Sequence, residues 1–285
     1  MSSSFTEKRL RITIAMVTEG EVRTYEGLAC HVSIDVTACP AFPRAKVTMK
    51  GLDIDTMASL TRLGYEAWTR EKNRILIEAD NGAGGYSKVF SGDILTAWAN
   101  FNAAPNVEFQ IDALSGIFPT LTPQSPMSIK GQQSAANTIE TLCKQIGYKF
   151  ENNGVTDSIS NCTIEGDPMT KIKKIAEMIK VNVIIDNDTV AILPNGKVRE
   201  TGSVPSISAE NGLIGYPTFS EKGVNFECLY RPEIRIGGKV VLSSIVPRSS
   251  GEWIVIGLKH ELAAFDPSNS VWKSSVQAIF PRFGK

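Results

Sequence analysis

The feature that most constrains the fold is a change in the spacing of the apolar residues. Near the start they occupy every second position, as in Leu10-Arg11-Ile12-Thr13-Ile14-Ala15-Met16, and the same alternation returns at 28–36 and 45–49. This period places one face of a strand on a core and leaves the other face polar. The first block is therefore predicted to be a set of β-strands. Further strands are expected at 74–79, 89–94 and 107–113.

The spacing changes to that of a helix in the middle of the chain. Apolar residues recur at i, i+3, i+4 and i+7 from Ile139 and again from Ile172, which is typical of helices with one buried face. Ser134 and Asp167 precede these stretches as N-caps, and Gly147 is suited to end the first helix. Extended segments are expected after the helices at 148–150, 181–186 and 189–193, with a turn at 186–188.

These patterns divide the chain into three parts. Three prolines within 117–126 indicate a linker, because proline lacks the amide that a sheet ladder needs. Strand patterns return at 224–230, 239–244, 253–262 and 271–280. We expect a mainly β fold with an α+β insertion. It would consist of a small β-barrel domain at 1–116, a linker and α+β module at 117–200, and a second small β-barrel domain at 201–285.

One short helix is expected inside the first barrel. Asp53 is placed as its N-cap, and Gly64 as its C-terminal glycine. In the second barrel, Pro217, Pro232 and the Gly237-Gly238 pair are expected to set turns.

The charge balance argues against a free-standing polyanion binder. The chain has 30 Lys and Arg and 30 Asp and Glu, so its formal net charge is zero. Residues 1–125, 126–200 and 201–285 carry −2, 0 and +2, whereas nucleic-acid-binding domains usually have a basic excess. Neither a signal peptide nor an apolar stretch of about 18 residues is present. We therefore expect a protein folded in the cytoplasm, without stable membrane insertion.

The candidate reactive residues favour structural roles. Five widely spaced cysteines without C-x-x-C argue against a disulfide framework. The glycine run at 81–86 is followed by a strand pattern rather than a helix, so a hairpin loop is favoured over a phosphate site. His31 and His260 lack the neighbouring ligands of a zinc site, and His260 is expected to form a structural hydrogen bond against Trp272 or a loop. No catalytic, cofactor-binding or metal-binding residue is assigned.

Paired carboxylates and a lysine cluster also have structural interpretations. Asp53 with Asp55, and Asp186 with Asp188, occur where a helix cap or a turn favours short polar side chains. The lysines of the second helix are predicted to cover its solvated face. They are Lys171, Lys173, Lys174 and Lys180.

Three stretches together resemble the late-control tail-hub family, the baseplate hub proteins of tailed bacteriophages. They are 89–94 with 104–113, then 212–240, and finally 253–262 with Trp272. The most specific is Gly-Tyr-Pro-Thr at 215–218, with Arg231-Pro232 and Gly237-Gly238 downstream. The resemblance runs from about residue 10 to about residue 280, and it extends to the hub portion of type VI secretion spike proteins.

The resemblance implies two tube-type β-barrels per chain and a homotrimer with pseudo-sixfold symmetry. Such a ring would join a sixfold tail tube, or a distal tube protein, to a threefold central spike. It would also contact baseplate wedge proteins and enclose a channel for the tape-measure protein and for DNA, without specific DNA binding. The family implies no cofactor and no catalysis. It implies a place in the tail baseplate of a virion, after assembly in the host cytoplasm.

Two other classes of function remain open from the sequence. One is a tail-associated cell-wall hydrolase. The other is an oligonucleotide-binding barrel, which would need a basic groove and aromatic platforms, whereas Trp68, Trp98, Trp253 and Trp272 are dispersed along the chain. If the chain forms a channel, the −2 charge of its first part predicts a polar lining with a mild acidic bias.

Overall fold

The computed structural model describes residues 8–16, 20–37, 42–62, 73–82, 84–116, 125–266 and 270–281. The strands, numbered β1 to β18 in chain order, are Leu10–Met16, Glu21–Glu26, Cys30–Thr37, Arg44–Lys50, Arg74–Asp80, Tyr86–Asn100, Glu108–Leu114, Met127–Ser134, Lys149–Asn152, Ser158–Ile164, Val181–Asp186, Thr189–Pro194, Ser206–Ile207, Leu213–Phe219, Gly223–Leu229, Lys239–Leu242, Gly251–Ala264 and Trp272–Ile279. The helices are α1 (Ile54–Leu60), α2 (Ala135–Gln145) and α3 (Pro168–Met178), and two 3₁₀ turns lie at Phe101–Ala103 and Ala209–Asn211.

All three α-helices begin where the sequence predicts. The side chains of Asp53, Ser134 and Asp167 each accept a hydrogen bond from the backbone N–H three residues further on. After α2, Gly147 has a φ of +73°, the left-handed conformation that glycine adopts at helix ends. Gly64, predicted to end α1, and most of the predicted linker lie outside the described residues. None of the described helices is long and apolar enough to cross a bilayer.

Thirteen strands from both ends of the chain form one main sheet. The order is β14-β15-β18-β17-β3-β4-β7-β6-β5-β1-β2, with β16 paired to β17 and β13 paired to β16. The two ends meet where residues 257–264 of β17 pair antiparallel with residues 30–37 of β3. We call this pairing the seam. One core of buried apolar side chains includes residues from both sides of it.

The main sheet repeats one strand order on the two sides of the seam. The order of the path β3-β4-β7-β6-β5-β1 matches that of β14-β15-β18-β17-β16-β13, although β1 pairs antiparallel with β5 and β13 pairs parallel with β16. The longest strand of each set, β6 or β17, has a bulge at the matching place, after Ile94 in β6 and after Val255 in β17. The strands β1 to β7 are called the first repeat below, and β13 to β18 the second repeat.

The residues between the repeats form a separate middle module with its own core. It contains the two-stranded sheet β10-β8, the three-stranded sheet β11-β12-β9, and helices α2 and α3. The predicted apolar faces of both helices are buried in this core. The turn at 186–188 joins β11 to β12 as expected.

One lysine of α3 does not lie where the sequence analysis placed it. Lys171 was expected on the solvated face, but it is only 2% exposed. Its Nζ donates a hydrogen bond of 2.7 Å to the carbonyl oxygen of Ser125. The prediction was wrong for Lys171 because the acceptor comes from a segment 46 residues away. The neighbouring Lys174 is exposed as expected.

The predicted fold class, mainly β with an α+β insertion, is confirmed. The described strands also include β2, β8, β10, β13 and β14, which the sequence patterns did not indicate. Pro217 was expected in a turn but lies buried within β14, beside a break in the β14–β15 register. Pro232 and Gly237 do lie in turns. The division of the main sheet into two barrels remains a prediction.

Candidate functional site: the polar face of the main sheet

Seven consecutive strands of the main sheet present a continuous polar face. They are β15, β18, β17, β3, β4, β7 and β6, in that order. Along β3, for example, every second side chain from Cys30 is buried, while His31, Ser33 and Asp35 point to the opposite side and are at least partly exposed. The same alternation in β4, β7, β15 and β18 places the polar side chains of all these strands on one surface. We call this surface the polar face.

Where β15, β18, β17, β3, β4 and β7 pair with one another, the charged side chains of the polar face are equal in number and mostly paired. The basic ones are Arg44, Lys46, Lys50, Lys259 and Lys273, and the acidic ones are Asp35, Glu108, Asp112, Glu227 and Glu261. Arg44 forms a two-pronged ion pair with Asp112, with Nε 2.8 Å from Oδ1. Lys259 lies 2.7 Å from Glu261 along β17. The face therefore carries dense charge without an excess of either sign.

Lys273 connects two of the carboxylates across neighbouring strands. Its Nζ is 2.9 Å from Oε1 of Glu227 on β15 and 3.8 Å from Oε2 of Glu261 on β17. Ser275 also donates a hydrogen bond to Glu227, at 3.1 Å. The hydrogen bond from Lys273 lowers the pKa of Glu227, and the hydrogen bond from Lys259 lowers the pKa of Glu261. Both carboxylates therefore carry a negative charge at neutral pH, and the neighbouring lysines offset part of that charge.

Aromatic side chains are sparse on the polar face. Trp98 on β6 is 40% exposed there, opposite Gln110 on β7, and Tyr216, on β14 at the other edge of the face, is 69% exposed. Trp253 is buried, Trp272 is partly buried, and Trp68 lies outside the described residues. Because oligonucleotide sites stack successive bases on adjacent aromatic rings in a basic groove, this charge-balanced face lacks the chemistry of such a site within the described part of the chain.

The two histidines occupy different environments. His31 lies on the polar face, partly exposed. His260 lies on β17 with its side chain on the buried side, where Nδ1 is 2.8 Å from Oγ of Ser274. Its ring packs edge-on against Tyr230, which in turn packs against Trp272. The predicted structural role of His260 is therefore confirmed, although its partner is the neighbouring strand β18.

Burial determines what the pair of His260 and Ser274 can do chemically. Ser274 is fully buried and His260 is 5% exposed, so the serine hydroxyl cannot reach a substrate from solvent. Burial lowers the pKa of His260 to about 4, which keeps the imidazole neutral at physiological pH. The pair consequently stabilises the packing of β17 against β18.

The predicted carboxylate pairs cap a helix and anchor the middle module. Asp53 accepts hydrogen bonds from N and Oγ1 of Thr56. Asp188 is 2.8 Å from Nζ of Lys88 in the first repeat. Partial burial acts to raise the pKa of Asp188, but the hydrogen bond and the charge of Lys88 act in the opposite direction, and the pKa is lowered. Within the described residues, no group of three or more His, Cys, Asp and Glu side chains is arranged to hold a metal ion.

A buried arginine that sequence analysis did not single out joins the middle module to the second repeat. The Arg199 side chain is 1% exposed, and it bonds Glu151 and Asp186 at 2.8 Å each. Its backbone N–H donates to the carbonyl of Gly237, and Arg235 approaches Asp186 at 3.6 Å. No sequence signal marks Arg199, because its two acidic partners lie 48 and 13 residues away.

A family model described as "Baseplate hub gp41" matches residues 9–269 of the chain. No curated protein matches the sequence.

Solved structures with the same fold include tail proteins and a type VI secretion component. A tail protein from Neisseria meningitidis MC58 is 8% identical, with a TM-score of 0.64 over 95% of this chain and 96% of that chain. The 43 kDa tail protein of prophage MuSo2 from Shewanella oneidensis is 12% identical, with a TM-score of 0.62 over 97% of each. The E. coli c3393 protein, described as a component of the type VI secretion system similar to T4 bacteriophage tail proteins gp27 and gp5, is 8% identical, with a TM-score of 0.59 over 88% and 73%. At these identities the likeness concerns the fold alone.

Proposed function

The chain belongs to the baseplate hub gp41 family, and on this basis we propose that it acts as a homotrimeric ring joining a sixfold tail tube to a threefold spike. The observation that carries the proposal is the repeated strand order on the two sides of the seam. A chain with two equivalent repeats produces six equivalent positions when three copies close around one axis. Such a ring can match a sixfold partner on one side and a threefold partner on the other.

The seam shows how such repeats pair edge to edge. Within the chain, the part of β17 after its bulge pairs with β3. The corresponding part of β6, after Ile94, pairs on one side with β7. On its other side, among the described residues, only Ala97 is bridged, by Arg62. In the second repeat, β14 occupies the place that β3 has in the first repeat, and it ends the path of paired strands.

We propose that β14 of one copy lies beside β6 of the next, as β3 lies beside β17 within each copy. β14 exposes Ile214, Tyr216 and Phe219, which are 38%, 69% and 54% exposed. An edge strand with exposed apolar side chains is a pairing hazard unless a partner covers it. Pro217 and the break in the β14–β15 register restrict which strands can pair there, so the edge is suited to one specific partner.

In this ring the polar face lines the channel. Three copies present their ion pairs to the lumen, with five basic and five acidic side chains from each copy. In this proposal the lining is charge-balanced, whereas the charge of the first part of the sequence alone predicts a mild acidic bias. A lining without net charge neither attracts nor strongly repels the phosphate backbone, so DNA and a tape-measure protein can pass without being retained.

We also propose the domain roles and the partners that the resemblance implies. The first repeat, with residues 1–116, and the second repeat, with residues 201–285, act as two tube-like barrel domains around the middle module of residues 117–200. The partners are a tube or distal tube protein, the central spike, and baseplate wedge proteins. The protein acts structurally rather than as an enzyme, and it joins the virion tail baseplate after assembly in the host cytoplasm.

Mass measurement tests the oligomeric state. A trimer of the 31.0 kDa chain has a mass of about 93 kDa, which light scattering coupled to gel filtration resolves from a monomer. A monomer at every accessible protein concentration, including the highest, contradicts a ring that closes by itself.

Cysteine cross-linking tests the arrangement of the copies. Aligning the strand registers of the two repeats places Asn100 of β6 at the position of Glu261 in β17, and Thr218 of β14 at the position of Ser33 in β3. Glu261 lies directly opposite Ser33 across the seam. Asn100 of one copy is therefore expected to lie opposite Thr218 of the next. The double variant Asn100→Cys with Thr218→Cys should therefore form disulfides between copies, because directly opposed strand residues are within disulfide reach.

The matched control uses the seam itself. Glu261→Cys with Ser33→Cys should close a disulfide inside one chain and leave its mass on a non-reducing gel unchanged. If the control closes while Asn100→Cys with Thr218→Cys produces no cross-linked dimers or trimers, the proposed neighbour relation is wrong. Each single variant and the wild type, which has five cysteines, establish the background.

A further inference from the structure

The turn between β11 and β12, residues 186–188, supplies hydrogen bonds to a strand of the first repeat. β6 pairs with β5 up to Asp93 and with β7 only from Asp93 onward. Along the first half of β6, Oδ1 of Asn187 accepts a hydrogen bond of 2.8 Å from the backbone N–H of Ser91, and Nδ2 donates one of 3.5 Å to the carbonyl oxygen of Val89. A carboxamide has donors and an acceptor, as a peptide group does, so Asn187 serves as a second neighbour for this half of the strand.

Two further contacts hold the same turn on the first repeat. Oγ of Ser115, which is fully buried just after β7, donates a hydrogen bond of 2.7 Å to the carbonyl oxygen of Asn187. Asp188 lies 2.8 Å from Nζ of Lys88 on β6. Asn187 itself has a φ of +56°, a left-handed conformation that asparagine adopts more readily than most residues. The turn is therefore fixed on β6 and on the end of β7 at once.

The hairpin of β11 and β12 is held on the second repeat as well. Asp186 lies 2.8 Å from the buried Arg199 and 3.6 Å from Arg235, which precedes β16. The backbone N–H of Arg199 donates to the carbonyl oxygen of Gly237 at 2.9 Å. A Cβ placed on Gly237 would lie 2.3 Å from Cδ1 of Ile184 on β11. The hairpin thus packs directly against the backbone of the second repeat.

The turn of this hairpin lies beside the seam. It borders a polar cavity together with Val36 and Leu258, which pair directly across the seam. The seam is one pair of strands, and the rotation between neighbouring strands ranges from about −10 to −35° in sheets. Strand pairing alone therefore leaves the angle between the two repeats loosely defined, whereas a hairpin bonded to both repeats restricts it.

The angle between the repeats decides whether copies can close into a ring. In the proposed trimer, three seams within copies alternate with three contacts between copies, and their rotations must add up to one full turn. Head-to-tail contacts whose rotation does not close produce open filaments. An error in the seam enters three times, so ring closure depends strongly on this angle.

We infer that the hairpin of β11 and β12 is a brace that sets the angle between the two repeats and thereby selects the closed ring over open assemblies, with Asn187 as its positioning residue. The inference rests on the proposed function, since it concerns how the ring closes. It gives the middle module a role in assembly that requires no contact with another protein.

The test replaces Asn187 without disturbing the turn. Asn187→Gly removes the carboxamide, and glycine adopts a positive φ without cost. Asn152→Ala is the matched control, because the Asn152 side chain makes the same two kinds of hydrogen bond with the backbone of Val155, at 2.8 and 2.9 Å, but inside the middle module. Lys88→Gln is a second variant that weakens the brace from the first repeat and leaves the module unchanged.

Two measurements report the brace. Pulsed electron paramagnetic resonance gives the distance between spin labels on the exposed residues Asp55→Cys in the first repeat and Glu221→Cys in the second, with labelled chains diluted into unlabelled ones and the labelled wild type as background. Light scattering and electron microscopy give the ratio of closed trimer to open species. Asn187→Gly should broaden the distance distribution and lower that ratio about fivefold or more, as loss of a buried hydrogen-bonding group implies. Lys88→Gln should act in the same direction, and Asn152→Ala should match the wild type.

The outcomes separate the brace from the proposed ring. A wild type that stays monomeric refutes the ring, and the distance distributions then decide on the brace alone. Distances in Asn187→Gly that are as narrow as in the wild type refute the brace, as does an equal broadening in Asn152→Ala. Broader distances with an unchanged ratio of closed trimer refute its role in closure. If Asn187→Gly does not fold by circular dichroism, Lys88→Gln decides by the same criteria.

Discussion

Replacing Arg199 with methionine should lower the free energy of unfolding by about 3 kcal/mol. The guanidinium is buried and lies 2.8 Å from both Glu151 and Asp186. Removing one partner of a buried ion pair costs about 3–5 kcal/mol, because a charge remains without compensation. The lower end of that range applies here, since Arg235 still approaches Asp186 at 3.6 Å and the Glu151 side chain is 39% exposed.

The measurement is urea unfolding followed by circular dichroism, with all proteins at one concentration because assembly affects apparent stability. Lys239→Met is the control for an exposed pair: Lys239 and Glu252 are 2.9 Å apart but 32% and 50% exposed, and such pairs contribute at most about 1 kcal/mol. The partners of Arg199 should rank by burial, with Asp186→Asn more damaging than Glu151→Gln. Equal losses in Arg199→Met and Lys239→Met would refute the reasoning that burial makes the Arg199 cluster costly to break.

Three further predictions follow from buried charge, surface charge and helix capping. His260 has a pKa of about 4 in the folded protein, below its ordinary value of 6.5. As the pH drops from 6.5 to 4, the histidine is protonated in the unfolded chain before it is protonated in the folded protein, so the free energy of unfolding falls. His260→Gln should remove on the order of 3 kcal/mol of that fall in a comparison of urea unfolding across this range. Neutralising three acids of the polar face, in Asp112→Asn with Glu227→Gln and Glu261→Gln, should create DNA binding that weakens steeply with salt in fluorescence anisotropy. Asp53→Ala removes the N-cap of α1 and should lower the free energy of unfolding by about 1 kcal/mol in urea titrations.

Each of these predictions has a matched control. His31→Gln replaces a partly exposed histidine and should leave the acid-dependent slope unchanged, so an equal effect would contradict the role of burial. Glu165→Gln, Glu177→Gln and Glu200→Gln together change the net charge equally but lie on the exposed surface of the middle module. DNA binding by that variant would show that total charge, not the polar face, is responsible. Asp55→Ala leaves the cap bond intact and should cost less than Asp53→Ala.

Strands could be predicted from the sequence wherever one face is buried by apolar side chains. β1, β3 and β4 alternate regularly, and their expected positions agree with the structure to within about two residues. β2 has no buried residue, so it lacks the alternation that would reveal it. β14 contains Gly215 and Pro217, and only its pairing with β15 makes it a strand.

The candidate site was harder to predict, because it depends on contacts between distant parts of the chain. Alternation indicates that Ser33 and Glu261 lie on polar strand faces, but it does not reveal that they are neighbours across the seam. The charge of the first part of the sequence does not predict the charge of the polar face, because this face also contains Lys259 and Lys273 from the other end of the chain. Lys171 shows the same limit, since its carbonyl acceptor lies beyond any helical spacing.

The seam also has a consequence for the kinetics of ring formation. A ring built from six separate subunits needs five association steps before it closes, and each of its contacts weakens on dilution. Here the contact between β3 and β17 forms within one polypeptide, so its strength does not depend on protein concentration. In the proposed trimer, two association steps then bring the three copies together before the ring closes. The covalent linkage also frees the two repeats to diverge, so that one polypeptide can carry different surfaces at alternate positions around the axis.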